Sequence, residues 1–194
     1  MPAVQAGGAV MQCKRLESTS LEFIVNIIVG VPMRPLLVSL LACLTAFSGA
    51  PALGADAPPV PYPKGYRQWT HVKSMVIQPG HALYDSFGGI HHLYANKLAE
   101  KGYASGKFPD GAVIAFDLLT AVSADNAVQE GPRKVLGVMV KDSRRYEATG
   151  GWGFEGFKGD SISERAVGAN AATVCYQCHT AQKDKGYVFS IWRK

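Results

Sequence analysis

Ala112-Val113-Ile114-Ala115-Phe116-Asp117-Leu118-Leu119-Thr120-Ala121-Val122 is a short apolar run that follows directly on the turn signal Pro109-Asp110-Gly111. A run of this kind, bounded by turn residues, reads as a strand. The pattern recurs on both sides of it. His71 to Ile77 and Ile90 to Tyr94 come before; Lys134 to Val140 and Trp152 to Phe157 come after. Pro79-Gly80, Gly88-Gly89, Gly131-Pro132 and Gly150-Gly151 separate these runs, and Tyr187 to Trp192 closes the chain as an aromatic, strand-like piece. One short helix is expected at Lys97 to Lys101, with Asn96 as N-cap and Gly102 just beyond its end, and a second is expected to begin near Ala171. The fold class is therefore a single β-rich α+β domain with a few helices, and no internal repeat is visible.

Composition agrees with one folded domain plus a tail. A hydrophobic fraction of 47% against 18% charged residues excludes wholesale disorder in a chain of 194 residues. The formal charge of +5 comes from scattered Lys and Arg, so no nucleic-acid partner is expected. The longest clean apolar run, Leu36 to Phe47, falls short of the roughly 18 to 20 residues of a membrane span, so no stable span is expected.

That run has another reading. Met33-Arg34 supplies a short positive start, Leu36 to Phe47 an apolar core and Ser48 to Ala57 a stretch rich in small residues, the three-part layout of a secretory signal peptide. The expected organisation is a gene-model extension over 1–32, a signal peptide over 33–55 cleaved near Gly54 or Ala55, a Pro-rich leader over 56–65 and a folded domain over 66–194. An uncleaved anchor, or a lipoprotein at Cys43, is the competing interpretation. Cleavage places the mature protein in the periplasm or outside the cell and removes Cys13 and Cys43, which leaves Cys175 and Cys178.

Those two lie in Cys175-Tyr176-Gln177-Cys178-His179, the C-x-x-C-H pattern of c-type haem attachment. Thiols three residues apart on a helix sit about one turn from each other and reach the two vinyl groups on one porphyrin edge. The next residue then projects its imidazole beneath the ring toward iron. The expected cofactor is one covalently attached haem c, held by Cys175, Cys178 and His179, with His179 the metal ligand. Three other readings exist. A thioredoxin-like dithiol would sit early in a βαβ unit, whereas only Thr180 to Lys194 follow the motif. Zinc needs two further ligands, and His71, His81, His91 and His92 make no such pair with a cysteine. A disulfide across so short a loop is strained.

The position of the motif separates this chain from common c-type architectures. A small helical electron carrier takes a Met ligand from downstream, and no Met follows His179. A four-helix bundle needs long heptad-like stripes, which Gly 21, Pro 11 and period-2 runs do not supply.

Further segments carry a resemblance. They are Tyr66-Arg67-Gln68-Trp69, Phe87-Gly88-Gly89-Ile90-His91-His92-Leu93-Tyr94-Ala95-Asn96, Phe108-Pro109-Asp110-Gly111, Val140-Lys141-Asp142, Gly151-Trp152-Gly153-Phe154, the haem motif and Tyr187-Val188-Phe189-Ser190. Together they resemble the cytochrome P-460 family over nearly the whole mature chain. The resemblance implies a twisted antiparallel sheet with helices, a five-coordinate c-type haem and often a homodimer. It also implies hydroxylamine oxidoreductase-type activity in members whose haem is cross-linked to a lysine, and nitric oxide binding in the related cytochromes c′-beta. In the cross-linked members the lysine lies in the loop matched here by Pro79 to Ser86. That loop holds none in this chain, and Lys73 is the nearest upstream.

The distal candidates are accordingly His91, His92, Glu155 and Lys73. His91 and His92 are adjacent on a strand and point to opposite faces, so only one of them can address the haem. Glu155 alternates away from Trp152 and Phe154. Met75 and Met139 are candidate second axial ligands, and Gly137 shares a strand face with Met139, where a flat group could approach. Lys183 and Lys185 offer positive charge to a redox partner protein, or simply a solvated face. The expected function is a secreted haem c protein with an open distal site, binding or oxidising hydroxylamine or nitric oxide. The alternatives are an electron carrier with a second axial ligand and a non-catalytic gas-binding protein.

Overall fold

Five strands lie side by side in the order in which the chain makes them: β1 (Thr70–Ile77), β2 (Gly89–Ala95), β3 (Val113–Ala124), β4 (Ala127–Lys141) and β5 (Trp152–Lys158). Every neighbouring pair is antiparallel. The computed structural model describes residues 59–193. The expected gene-model extension, the signal peptide with its cleavage site near Gly54 or Ala55, the start of the leader, and Cys13 and Cys43 lie outside the described residues. Three short helices accompany the sheet: α1 (Tyr84–Phe87), α2 (Lys97–Ser105) and α3 (Gln177–His179). The domain is α+β, as its residue pattern indicated, although α1 lies in a stretch that read as plain loop.

The sheet buries both faces. One carries a cluster of Val72, Ala95, Ala99, Ala112, Ile114, Trp152, Phe154 and Val188, joined by Leu93, Met139, Cys175, Tyr176 and Tyr187. The other carries Val60, Tyr66, Ala115, Leu136, Val138, Tyr146 and Phe157. This division explains why the strands read as apolar runs as often as alternating ones. It also separates Phe157 from Phe154 and Trp152, which share the first face.

Local chemistry sets the boundaries of the elements. Asn96 caps α2 by accepting the Ala99 N–H at 2.8 Å, and the same oxygen takes the Val113 N–H at 3.0 Å, fastening the helix to β3. The helix runs past the expected end at Gly102 and stops at Gly106, where φ is 75°. Gly102 has a packing role instead: a Cβ there would lie 2.1 Å from Phe108 Cδ1, so its bare face seats that ring.

Gly131-Pro132 does not separate strands as expected. The hairpin turns at Asp125 and Asn126, both at positive φ (52° and 61°), as a tight two-residue turn requires. β4 continues through Gly131-Pro132 with a register shift against Leu119 and Ala121. The pairing of β4 with β5 begins only at Val135, so the missing Pro132 N–H leaves no ladder bond unmade on that side. Nor is Tyr187 to Trp192 a strand: no ladder includes it, and Tyr187 sits at φ 66°.

Candidate functional site

The C-x-x-C-H motif lies on a helical segment: a π-helical turn over Ala172–Tyr176, then α3, then a 3-10 stretch over Thr180–Lys185 that is kinked at Gln182. π-helical turns are rare and occur mostly at functional sites. Cys175, Cys178 and His179 are all half-buried. Cys175 and Tyr176 pack on the cluster that contains Phe154 and Met139, which we call the motif face of the sheet.

His179 is held in one tautomer. Its Nδ1 lies 2.7 Å from the carbonyl oxygen of Tyr187, so Nδ1–H donates and Nε2 keeps its lone pair. The carbonyl is itself fixed: the Tyr187 N–H donates to Gln182 O at 2.8 Å, and Trp152 Nε1 donates to the preceding carbonyl, Gly186 O, at 2.9 Å. Phe154 and Phe189 flank the imidazole with ring centroids at 5.0 Å each. Burial lowers the His179 pKa against the opposing effect of the Tyr187 bond, which keeps the ring neutral, the form that binds metals. Burial likewise pushes the Cys175 thiol up to about 11, helped by the charges of Glu155 and Cys178.

Strand register sorts the distal candidates, because paired residues project to one side and successive residues to opposite sides. Lys73 pairs with Leu93, Met75 with His91, Leu93 with Phe116, Phe116 with Gly137 and Met139 with Phe154. Lys73, Met75, His91, Phe116, Gly137 and Met139 therefore share the motif face. Gly137 lies beneath Phe116, whose Cδ1 would be 3.3 Å from an added Cβ.

His92 and Glu155 project to the far face. His92 bonds to Ser74 and Glu130 there. Glu155 is buried and accepts from Arg165 at 2.7 Å and from the backbone N–H groups of Gly156, Val167 and Gly168. Burial alone would raise its pKa, but the Arg165 bond and these N–H groups outweigh it, and the net shift is downward. The second buried carboxylate, Asp117, is also on the far face, bonded to Tyr66, Arg67 and Arg133.

His91 differs from all of these. It is 4% exposed, and its Nδ1 is the one buried side-chain polar atom without a partner among the described residues. Its ring lies 4.8 Å from that of Phe116, which meets Phe87 edge-on at 5.9 Å. Burial, with lesser contributions from His92 and Lys73, lowers its pKa to about 4, so it is a neutral imidazole at pH 7.

The residues present fit a covalently held haem. Two thiols lie one turn apart, a neutral imidazole offers Nε2, and a sheet face of Leu93, Phe116, Met139 and Phe154 is suited to a flat apolar group. Partly exposed Phe87 and Met75 extend that face. An orphaned buried nitrogen at His91 is also expected where a polar partner from outside the protein completes the site. Sequence reasoning missed the Tyr187 carbonyl and the Phe87–Phe116 pair. Positive φ at a non-glycine residue leaves no compositional mark, and the ring pair joins a helix to a strand distant in sequence.

The family model described as Cytochrome P460 matches residues 63–190. No curated protein matches the chain.

Proposed function

The chain belongs to the cytochrome P460 family and is thus a haem protein; from that premise we propose that it is an exported c-type cytochrome with an open distal position for a small nitrogen species, nitric oxide or hydroxylamine. Cys175 and Cys178 would hold a single haem c through thioether links, and His179 Nε2 would bind its iron. Once bound, the haem would supply an iron centre for small-ligand binding and one-electron redox chemistry.

The observation that carries this reading is the bond from His179 Nδ1 to Tyr187 O. A backbone acceptor behind the imidazole fixes the tautomer and aims Nε2, as the outer partners of metal-binding histidines do. The motif face favours binding over turnover. Both buried carboxylates, Asp117 and Glu155, lie on the far face, so neither serves as a general base there. His91 is the buried polar group on the motif face, and as a neutral imidazole it offers a hydrogen bond without bringing charge. Exposed Lys183 and Lys185 follow the motif directly and offer positive charge to an acidic redox partner.

One observation favours a second reading, the oxidation of hydroxylamine. Lys73 shares the motif face with Leu93 and Phe116 and is the described lysine best placed to stand in for the cross-linking residue of the family.

The optical spectrum of the purified ferrous protein tests both. Binding alone predicts a high-spin haem spectrum that changes on adding nitric oxide or carbon monoxide, with no consumption of hydroxylamine. A red-shifted Soret band with hydroxylamine turnover supports the second reading. A sharp low-spin spectrum indifferent to carbon monoxide would indicate a closed electron carrier ligated by Met75 or Met139, and colourless, iron-free protein would refute the haem assignment at this motif.

A further inference from the structure

On the far face of the sheet, His92 belongs to a chain of hydrogen bonds that the haem reading does not use. His71 Nε2 lies 2.9 Å from Ser74 Oγ, Ser74 Oγ lies 2.6 Å from His92 Nδ1, and His92 Nε2 lies 2.6 Å from Glu130 Oε1. The polarity of the chain follows from its end. A carboxylate only accepts, so His92 Nε2–H donates to Glu130 Oε1, and Nδ1 of the neutral ring keeps its lone pair. Ser74 donates to that lone pair and accepts from His71 Nε2. Two imidazole nitrogens from adjacent strands are therefore aimed at a single point, the Ser74 oxygen.

We propose that His71 Nε2 and His92 Nδ1 form a surface site for a borderline transition-metal ion, zinc(II) or copper(II), with Ser74 Oγ and water completing its coordination. The ring separation admits such an ion once the Ser74 hydroxyl, which fills the point both nitrogens face, turns to one side of it. Two imidazoles bound to one ion through bonds of about 2.0–2.1 Å have centroids at most roughly 6.5 Å apart, and the His71 and His92 centroids are 5.9 Å apart. In the metal-free protein His71 Nε2–H donates to Ser74 Oγ; to bind the ion, exposed His71 would shift its ring proton to Nδ1 and free Nε2.

The identity of the ion follows from the donors. Imidazole nitrogens suit zinc and copper, whereas calcium and magnesium need a cage of oxygens that this face does not provide. Glu130 contributes from behind: a carboxylate on the far nitrogen of a ligating histidine fixes its orientation and raises its basicity. Among the described residues no three His, Cys, Asp or Glu side chains converge as a metal group. The site accordingly has two protein nitrogens and leaves positions open to exchange.

The order Ser74, His92, Glu130 is also that of a nucleophile, its base and an orienting carboxylate. Such a catalyst needs an enclosed substrate and converging oxyanion donors. Ser74 is exposed and lines neither the cavity beside Ile77 and Lys134 nor the one beside Tyr146 and Arg165, which favours the metal.

Titration of zinc(II) into untagged, haem-loaded full-chain protein by calorimetry tests the assignment. One ion per chain is expected, with affinity falling at least tenfold in His71→Ala and in His92→Ala. About a tenfold loss is expected in Glu130→Gln, where only the outer partner changes. His81→Ala, an exposed histidine elsewhere, should leave binding unchanged. Both ligand positions are solvent-facing or half-buried on a sheet surface, and circular dichroism matching the parent confirms that the variants are folded. Binding that survives intact in His71→Ala and His92→Ala overturns the proposal, as does the absence of zinc and copper binding at millimolar ion. Hydrolysis of a nitrophenyl ester that requires Ser74 and is indifferent to zinc overturns it in favour of the nucleophile.

Discussion

His179 and Tyr187 face each other across 2.7 Å, and Tyr187 presents its carbonyl to the imidazole from a φ of 66°. Left-handed backbone costs a residue with a Cβ about 1–2 kcal/mol, so other contacts must hold this conformation. Trp152 is one of them: fully buried, it donates Nε1–H to Gly186 O at 2.9 Å, one residue before the strained position. Trp152→Phe removes the donor and leaves a carbonyl without its partner. The expected loss of stability is about 2 kcal/mol, measured as a shift of the denaturant midpoint. The iron–histidine stretching band should broaden in the same variant, while the yield of covalently attached haem stays at the parent level.

His91 gives a pH signature. Its folded pKa is lowered to about 4 from 6.5, so between those values the unfolded chain binds the extra proton. The stability contribution is complete above pH 6.5 and is lost as pH falls toward 4. The slope in that window is at most about 1.4 kcal/mol per pH unit for one proton. His91→Phe should flatten the stability profile between pH 6.5 and 4 and leave it unchanged above. A profile of the variant that still falls in this window at the parent slope would assign the titration to another group.

How much of this was legible in the sequence depends on the range of the interaction. The five strands and the Asn96 cap could be read because local alternation and a capping side chain announce themselves within a few residues. C-x-x-C-H could be read because its chemistry requires a fixed spacing. The Gly131-Pro132 pair misled because its turn signal is genuine: only the bulge opposite Leu119 and Ala121, and the unpaired side of β4, let the strand continue through it. Tyr187 looked like part of a strand because aromatic content says nothing of φ. The separation of His91 from His92 followed from strand alternation, but which of them faces the motif depended on the packing of a helix more than eighty residues later.

Asp117 should dominate the acid limit of the fold. It is 1% exposed and accepts from Tyr66 Oη and Arg133 Nε, both at 2.6 Å, and from Arg67 at 3.2 Å. Burial alone would raise its pKa, but the bonds to Arg133, Tyr66 and Arg67 outweigh it and hold the carboxyl below its usual 3.8. A depressed folded pKa gives stability that is present above 3.8 and disappears as pH falls through the folded value. Asp117→Asn leaves Arg133 without its buried partner and should cost about 3–5 kcal/mol at neutral pH. The variant should also lose less stability than the parent on going from pH 4 to pH 2, measured by urea denaturation.

Lys73 separates binding from oxidation by mass alone. It is exposed on β1, an edge strand of the sheet, where a lysine also serves to discourage pairing with other chains. Its exposed side chain leaves the amine free to turn to water. The expected digest of the holoprotein therefore contains a single haem-bearing peptide, the one with Cys175 and Cys178, and Lys73→Arg leaves the ferrous spectrum unchanged. A haem peptide carrying a second chain that includes Lys73, lost in the variant together with a red-shifted Soret band, would establish the cross-link and with it hydroxylamine oxidation as the function of the site.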